Sequence, residues 1–95
     1  MVFAWDPGNA TANIKKHGVD FREAGTVFDD DSSETFPDGL HSKGERRFLT
    51  IGMSARHRVL VVAHTENGDT IRIISARPVT RRERKYYEEQ ERKSN

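Results

Sequence analysis

Arg72, Arg77, Arg81 and Arg84 fall within thirteen residues of one another, on both sides of Pro78. Guanidinium groups carry a permanent charge and a rigid fork of donors, so a cluster of them is suited to phosphate. The local pattern says how they are held. Thr70-Ile71-Arg72-Ile73-Ile74-Ser75-Ala76-Arg77 alternates as a strand, with Arg72, Ile74 and Ala76 on one side and Ile71, Ile73, Ser75 and Arg77 on the other. Pro78 removes a backbone donor and biases Arg77 toward extended geometry, which ends the strand there. Thr80-x-x-Glu83 is a capping box that starts a helix to about Lys93. Arginines at a strand end and a helix start point to a polyanion.

The rest of the chain supplies the elements that hold this stretch. Val2 to Trp5 reads as a short strand closed by the turn chemistry of Asp6-Pro7-Gly8. Asn9 can cap a helix through about His17, with Gly18 as its stop. Asp20-x-x-Glu23 resembles a second capping box, followed by Phe21, Ala24, Val27 and Phe28 at helical spacing. Asp29-Asp30-Asp31-Ser32-Ser33 breaks that helix, and Glu34-Thr35-Phe36 forms a brief edge strand before Pro37. Three consecutive strands follow, Arg46 to Ser54, Arg58 to Thr65 and Thr70 to Arg77. Short links, Ala55-Arg56-His57 and Glu66-Asn67-Gly68-Asp69, make them antiparallel neighbours. The Val59-Leu60-Val61-Val62-Ala63 run is apolar on both faces, as a central strand requires. The expected architecture is one α+β domain over residues 1–95. It has a twisted antiparallel sheet of three long strands plus short N-terminal strands, two N-terminal helices and a C-terminal helix.

Composition agrees with one small domain: 95 residues, 34% hydrophobic, 33% charged, net charge +1. That near-neutral sum conceals a polarity. Residues 1–45 hold nine acids against four bases, and residues 46–95 hold twelve bases against six acids. The basic half is the candidate nucleic-acid face. The chain has no cysteine, which excludes disulfides and thiolate metal sites. No apolar run approaches the roughly 18–20 residues of a membrane span and no signal-peptide pattern is seen, so a cytoplasmic protein with no membrane partner is expected.

Four motifs occur in order: Phe3-x-Trp5-Asp6, Asn13-x-x-Lys16-His17-Gly18-Val19-x-Phe21-x-x-Ala24, Arg47-Phe48-x-x-Ile51-Gly52, and Ile73-Ile74-Ser75-Ala76-Arg77-Pro78-x-Thr80-x-x-Glu83-Arg84. Their order and spacing, over nearly the whole chain, resemble the BrnT family of type II toxins, related in fold to RelE-type ribonucleases. The resemblance implies an endoribonuclease that inhibits translation by cutting RNA. It also implies a cognate antitoxin with a ribbon-helix-helix DNA-binding domain, and contact with operator DNA only through the toxin–antitoxin complex.

Cleaving RNA without a metal ion requires a base for the 2′-hydroxyl proton, a cation for the phosphate and an acid for the leaving 5′-oxygen, and leaves a 2′,3′-cyclic phosphate. No cofactor is expected. His17, His41, His57 and His64 lack metal-ligand spacing, and Asp29–Asp31 has no partners of the right type, so no metal site is assigned. Arg77 is the first candidate for the phosphate, since it ends a core strand and matches the family motif. Arg47, which matches the motif arginine opening the first long strand, is the second. Arg81 and Arg84 extend the phosphate track, and Arg72 is a weaker addition on the other strand face. Lys16, His17, His41 and Glu45 are the proton-transfer candidates. Tyr86 and Tyr87 point about 100° apart on a helix, so one packs and the other reaches RNA; Tyr87 is assigned to the RNA. Trp5 is read as core, and His57 and His64 as structural. Two rival functions are a non-catalytic nucleic-acid-binding module and a partner-binding subunit.

Overall fold

Val59-Leu60-Val61-Val62 is buried on both sides of its strand because helices cover both faces of the sheet. The computed structural model describes residues 1–41 and 44–93, without the side chain of His41. In chain order the elements are β1 (Val2–Ala4), α1 (Pro7–His17), α2 (Phe21–Thr26) running into a 3₁₀ turn (Val27–Asp29), and β2 (Glu34–Pro37). A second 3₁₀ turn (Gly39–His41), β3 (Arg47–Met53), β4 (Val59–Asn67), β5 (Thr70–Pro78) and α3 (Arg81–Lys93) follow. The five strands lie in the order β1-β5-β4-β3-β2. Strands β2 to β5 pair antiparallel, as their short connections demand. β1 does not: it pairs parallel to β5, Val2 opposite Thr70, which makes the sheet mixed rather than wholly antiparallel. A parallel neighbour needs a long crossover, and everything from α1 to β4 provides it.

Alternate residues of β4 sort the two layers. Leu60 and Val62 meet Val19, Phe21, Ala24 and Val27 beneath α1 and α2. Val59 and Val61 meet Ile51 and Tyr87 beneath α3. Gly52 permits the first of these layers to close, since a Cβ there would stand 2.8 Å from Val27 and 2.9 Å from Ser33. Among the described residues no helix is long and apolar enough to cross a membrane.

Two helix starts differ from expectation. α1 begins at Pro7, capped by Asp6, whose carboxylate accepts from Asn9 N–H at 2.9 Å. The Asp-Pro-Gly turn is thus the helix entry, because proline at the first helical position loses nothing by lacking an N–H. Gly18 ends α1 in the left-handed region, φ 69°, as expected. α2 is capped by Asp20, but Glu23 does not complete a capping box. Its buried carboxylate instead accepts from Ser54 Oγ at 2.6 Å and from Arg58 Nε at 2.9 Å. Arg58 holds the Glu23 carboxyl below its ordinary value, against the opposing effect of burial.

His64 is the other buried polar group. It is 1% exposed, and its Nε2 lies 2.7 Å from Thr50 Oγ1, itself 2.7 Å from Thr35 Oγ1. Its Nδ1 has no partner among the described residues, and the ring sits edge-on to Phe28 and stacked near Phe48. Burial pushes its pKa down to about 4. The unfolded chain therefore binds the proton first, and stability is lost as pH falls from the unfolded value toward 4. Between pH 7 and 5, where carboxylates stay ionised, the expected loss is about 2 kcal/mol in denaturant unfolding. His64→Leu should flatten that slope. A wild-type profile already flat over this interval would refute the buried neutral imidazole.

Candidate functional site

The sheet face under α3 carries Arg47 and Arg77, and a bulge brings Arg72 to the same face. β4 and β5 pair in register until Ala63 meets Ser75, and then slip so that His64 meets Ile73, leaving Ile74 unpaired. One extra residue reverses the inside–outside phase of everything beyond it. Ile71, Ile73 and Ala76 consequently share the α1/α2 core. Arg72 lies opposite Thr65, and Thr65 opposite Arg47, so Arg47 and Arg72 flank one residue on the same face. Arg77, opposite Val61, is on that face too. Strict alternation had separated Arg72 from Arg77; the bulge at Ile74 unites them.

Between Arg47 and Arg77 lies a hollow of about 420 Å³, lined among others by Asp38, Ala63 and Ser75. Asp38 is set by its own N–H, which donates to Arg47 C=O at 2.8 Å. Arg77 is held by a fork. Its Nη1 and Nη2 donate to the two carboxylate oxygens of Glu83 at 2.8 and 2.9 Å, and Nη1 also to Pro78 C=O at 3.3 Å. Glu83 in turn accepts from Thr80 N–H at 2.8 Å, and its own N–H donates to Thr80 Oγ1 at 3.2 Å, so the expected capping box is present. Arg77, aided by Thr80 and opposed by burial, draws the Glu83 pKa down to about 2, and the carboxylate raises that of Arg77. Three of the five guanidinium N–H donors are used in this way. The other two have no protein acceptor among the described residues. The arginine is pre-oriented and still has donors for an anion.

Lys16 and His17 approach from the other side of the bulge. With Asn9, Asn13, Ile74 and Ser75 they line a second hollow of about 250 Å³. Ile74 and Ser75 line both hollows, so the bulge is their common wall. Asn13 fixes this junction. Past the end of β1 the edge of β5 has no strand beside it among the described residues, and the Asn13 amide takes that place. Nδ2 donates to Ala76 C=O at 2.9 Å and to Val19 C=O at 3.0 Å, while Oδ1 accepts from Ala76 N–H at 3.0 Å. The residue next to Arg77 is thereby tied to α1.

Other expected site residues are placed differently. Glu45 is exposed, 4.0 Å from Arg72 in a loose ion pair. The side chain of His41 lies outside the described residues. Arg81 and Arg84 are exposed on α3 and neither lines the arginine hollow. Tyr87 is not at an RNA-facing surface: it is 2% exposed, with its hydroxyl donating to Asp30 Oδ2 at 2.6 Å. Burial and that carboxylate both raise its pKa. Its neighbour Tyr86 is the exposed ring, hydrogen-bonded to Glu34, because only one of two adjacent helical residues can face the sheet. Asp38, Asn13 and the Glu83 fork are the site features that sequence reading missed. Asn13 and Glu83 stand within the motifs quoted above, but their partners lie 63 and 6 residues away. Among the described residues no three His, Asp or Glu side chains converge as a metal site would need.

Comparison with known proteins gives the same direction. Residues 5–83 match a family described as the ribonuclease toxin, BrnT, of type II toxin–antitoxin systems. The crystal structure of the Brucella abortus ribonuclease toxin, BrnT, is similar with a TM-score of 0.65 and 25% identity, covering 85% of this chain and 100% of that one. No curated protein matches the sequence.

Proposed function

Because the chain belongs to the BrnT family of ribonuclease toxins from type II toxin–antitoxin systems, with RNA as substrate and a cognate antitoxin as partner, we propose that it cuts RNA at the Arg47–Arg77 hollow without a metal ion. The observation that carries this reading is the forked, pre-oriented Arg77, which faces Arg47 across one hollow with two donors unspent. Those donors and Arg47 receive the phosphate and the charge that grows on it. Asp38 is the carboxylate lining that hollow, and is the group to take the 2′-hydroxyl proton. Lys16 or His17, across the bulge, returns a proton to the leaving 5′-oxygen. Arg72 and Glu45 lie farther along the same face, and Arg81 and Arg84 extend the phosphate track on α3. The products are a 2′,3′-cyclic phosphate and a free 5′-hydroxyl. The antitoxin is of the ribbon-helix-helix type and covers the arginine face.

The test uses purified protein free of antitoxin, incubated with naked RNA in EDTA, with the new 3′ ends analysed. Cyclic-phosphate ends are the expected result. Cleavage that appears only when a divalent cation is restored would overturn the metal-free reading. RNA that stays intact alone but is cut on translating ribosomes would keep the chemistry and add the ribosome as a requirement.

A further inference from the structure

A second trough opens beside the arginine hollow, and it is apolar. Phe36 of β2 and Tyr86 of α3 wall it, Leu49, Ile51 and Val61 floor it, and Arg82 and Glu83 stand at its rim, around about 370 Å³. Both rings are exposed, 40% for Phe36 and 37% for Tyr86, with centroids 6.0 Å apart and planes at 60°. Leu49 and Val61 also line the arginine hollow, so the two floors are continuous. The Tyr86 hydroxyl donates to Glu34 Oε2. Glu83 belongs to both regions, gripping Arg77 on one side and bordering the trough on the other.

We infer that this trough is a nucleobase subsite, in which a base next to the phosphate held by Arg47 and Arg77 stacks on Phe36 or Tyr86. A nucleotide combines an anion with a flat apolar ring a few bonds away, and this surface combines a cationic hollow with an aromatic trough on one floor. Single-stranded nucleic acids are recognised by that combination, with aromatic platforms beside a basic track. The rings already touch each other, so the base lies on their exposed side and does not insert between them. This inference rests on the RNA-cleaving reading, since it takes its occupant from the adjoining phosphate site.

The test measures equilibrium binding of an uncleavable 2′-O-methyl RNA oligonucleotide and of versions with a single abasic site moved along it. For the wild type, one abasic position should weaken binding by roughly tenfold, the scale of base–aromatic stacking. Phe36→Ala or Tyr86→Ala should weaken the intact oligonucleotide by a similar factor and leave that abasic version unchanged. Tyr86→Phe keeps the ring and should bind as the wild type, and it serves as the folded control. Ring variants that leave binding unchanged, or that weaken intact and abasic RNA equally, overturn the subsite. Loss of antitoxin affinity in Phe36→Ala with RNA binding intact also overturns it, and assigns the trough to the protein partner. Arg77→Ala reports on the phosphate reading separately, because it should weaken intact and abasic RNA alike. If it weakens neither while the base effect persists, the phosphate assignment fails and the subsite stands.

Discussion

Arg77→Ala should lower RNA cleavage by roughly a hundred- to a thousandfold, the loss seen when one preorganised donor to a developing negative charge is removed. The protein should remain folded. The Arg77–Glu83 pair is part-exposed, at 39% and 31% of the two side chains, so its contribution to stability is at most about 1 kcal/mol. Glu83 also keeps its bond to Thr80 N–H when the arginine is gone. Two companion variants separate grip from charge. Arg77→Lys retains the charge but cannot form the fork with Glu83, and Glu83→Gln leaves the guanidinium while weakening its hold. Both should lie between wild type and alanine. The measurement is the initial rate of cyclic-phosphate formation, with circular dichroism as the folding control. An alanine variant that cuts at the wild-type rate removes Arg77 from the site.

Asn13→Ala should be the most destabilising single change near the site, at about 3 kcal/mol. Asn13 is 5% exposed and makes three hydrogen bonds to backbone groups of Ala76 and Val19. Truncation leaves buried peptide groups unpaired at the edge of β5, and each such group costs roughly 1–3 kcal/mol less any recovered by water. The denaturant midpoint should fall with the slope unchanged. A loss below about 1 kcal/mol would show that water or a shifted β1 replaces the amide. Surviving folded Asn13→Ala should also cleave poorly, because Ala76 positions the start of the Arg77 side chain.

What could be read from the sequence divides along a physical line. Local rules succeeded where a residue's partner is close in the chain. The Thr80–Glu83 capping box, the Gly18 stop and the two-sided β4 core all follow from spacing alone. They failed where the partner is distant. Glu23 has the spacing of a capping box, yet a buried carboxylate beside Arg58 gains more from that ion pair than from its own helix terminus. Periodicity allowed one of Tyr86 and Tyr87 to pack, but Asp30, which selects Tyr87, arrives from the 3₁₀ turn after α2. The bulge is the sharpest case. No residue type marks Ile74 as unpaired, and without that slip Arg72 is assigned to the wrong face. The placing of Arg47 at the start of β3 and Arg77 near the end of β5 was legible, because strand ends are set by local signals such as Pro78. Asp38 was not, since it stands out only once β3 is beside it.

The long reach of β5 has a consequence for how a cell makes this protein. β1 pairs with β5 through Val2 and Thr70, and the Asn13 amide clasps Ala76 from 63 residues away. Such distant closures are made late and slowly. During synthesis the N-terminal strand and α1 have no edge to dock on until β5 has left the ribosome. Arg77 emerges with that same strand. The face that gathers Arg47, Arg72 and Arg77 is therefore completed only once β5 has been made and has taken its place beside β4.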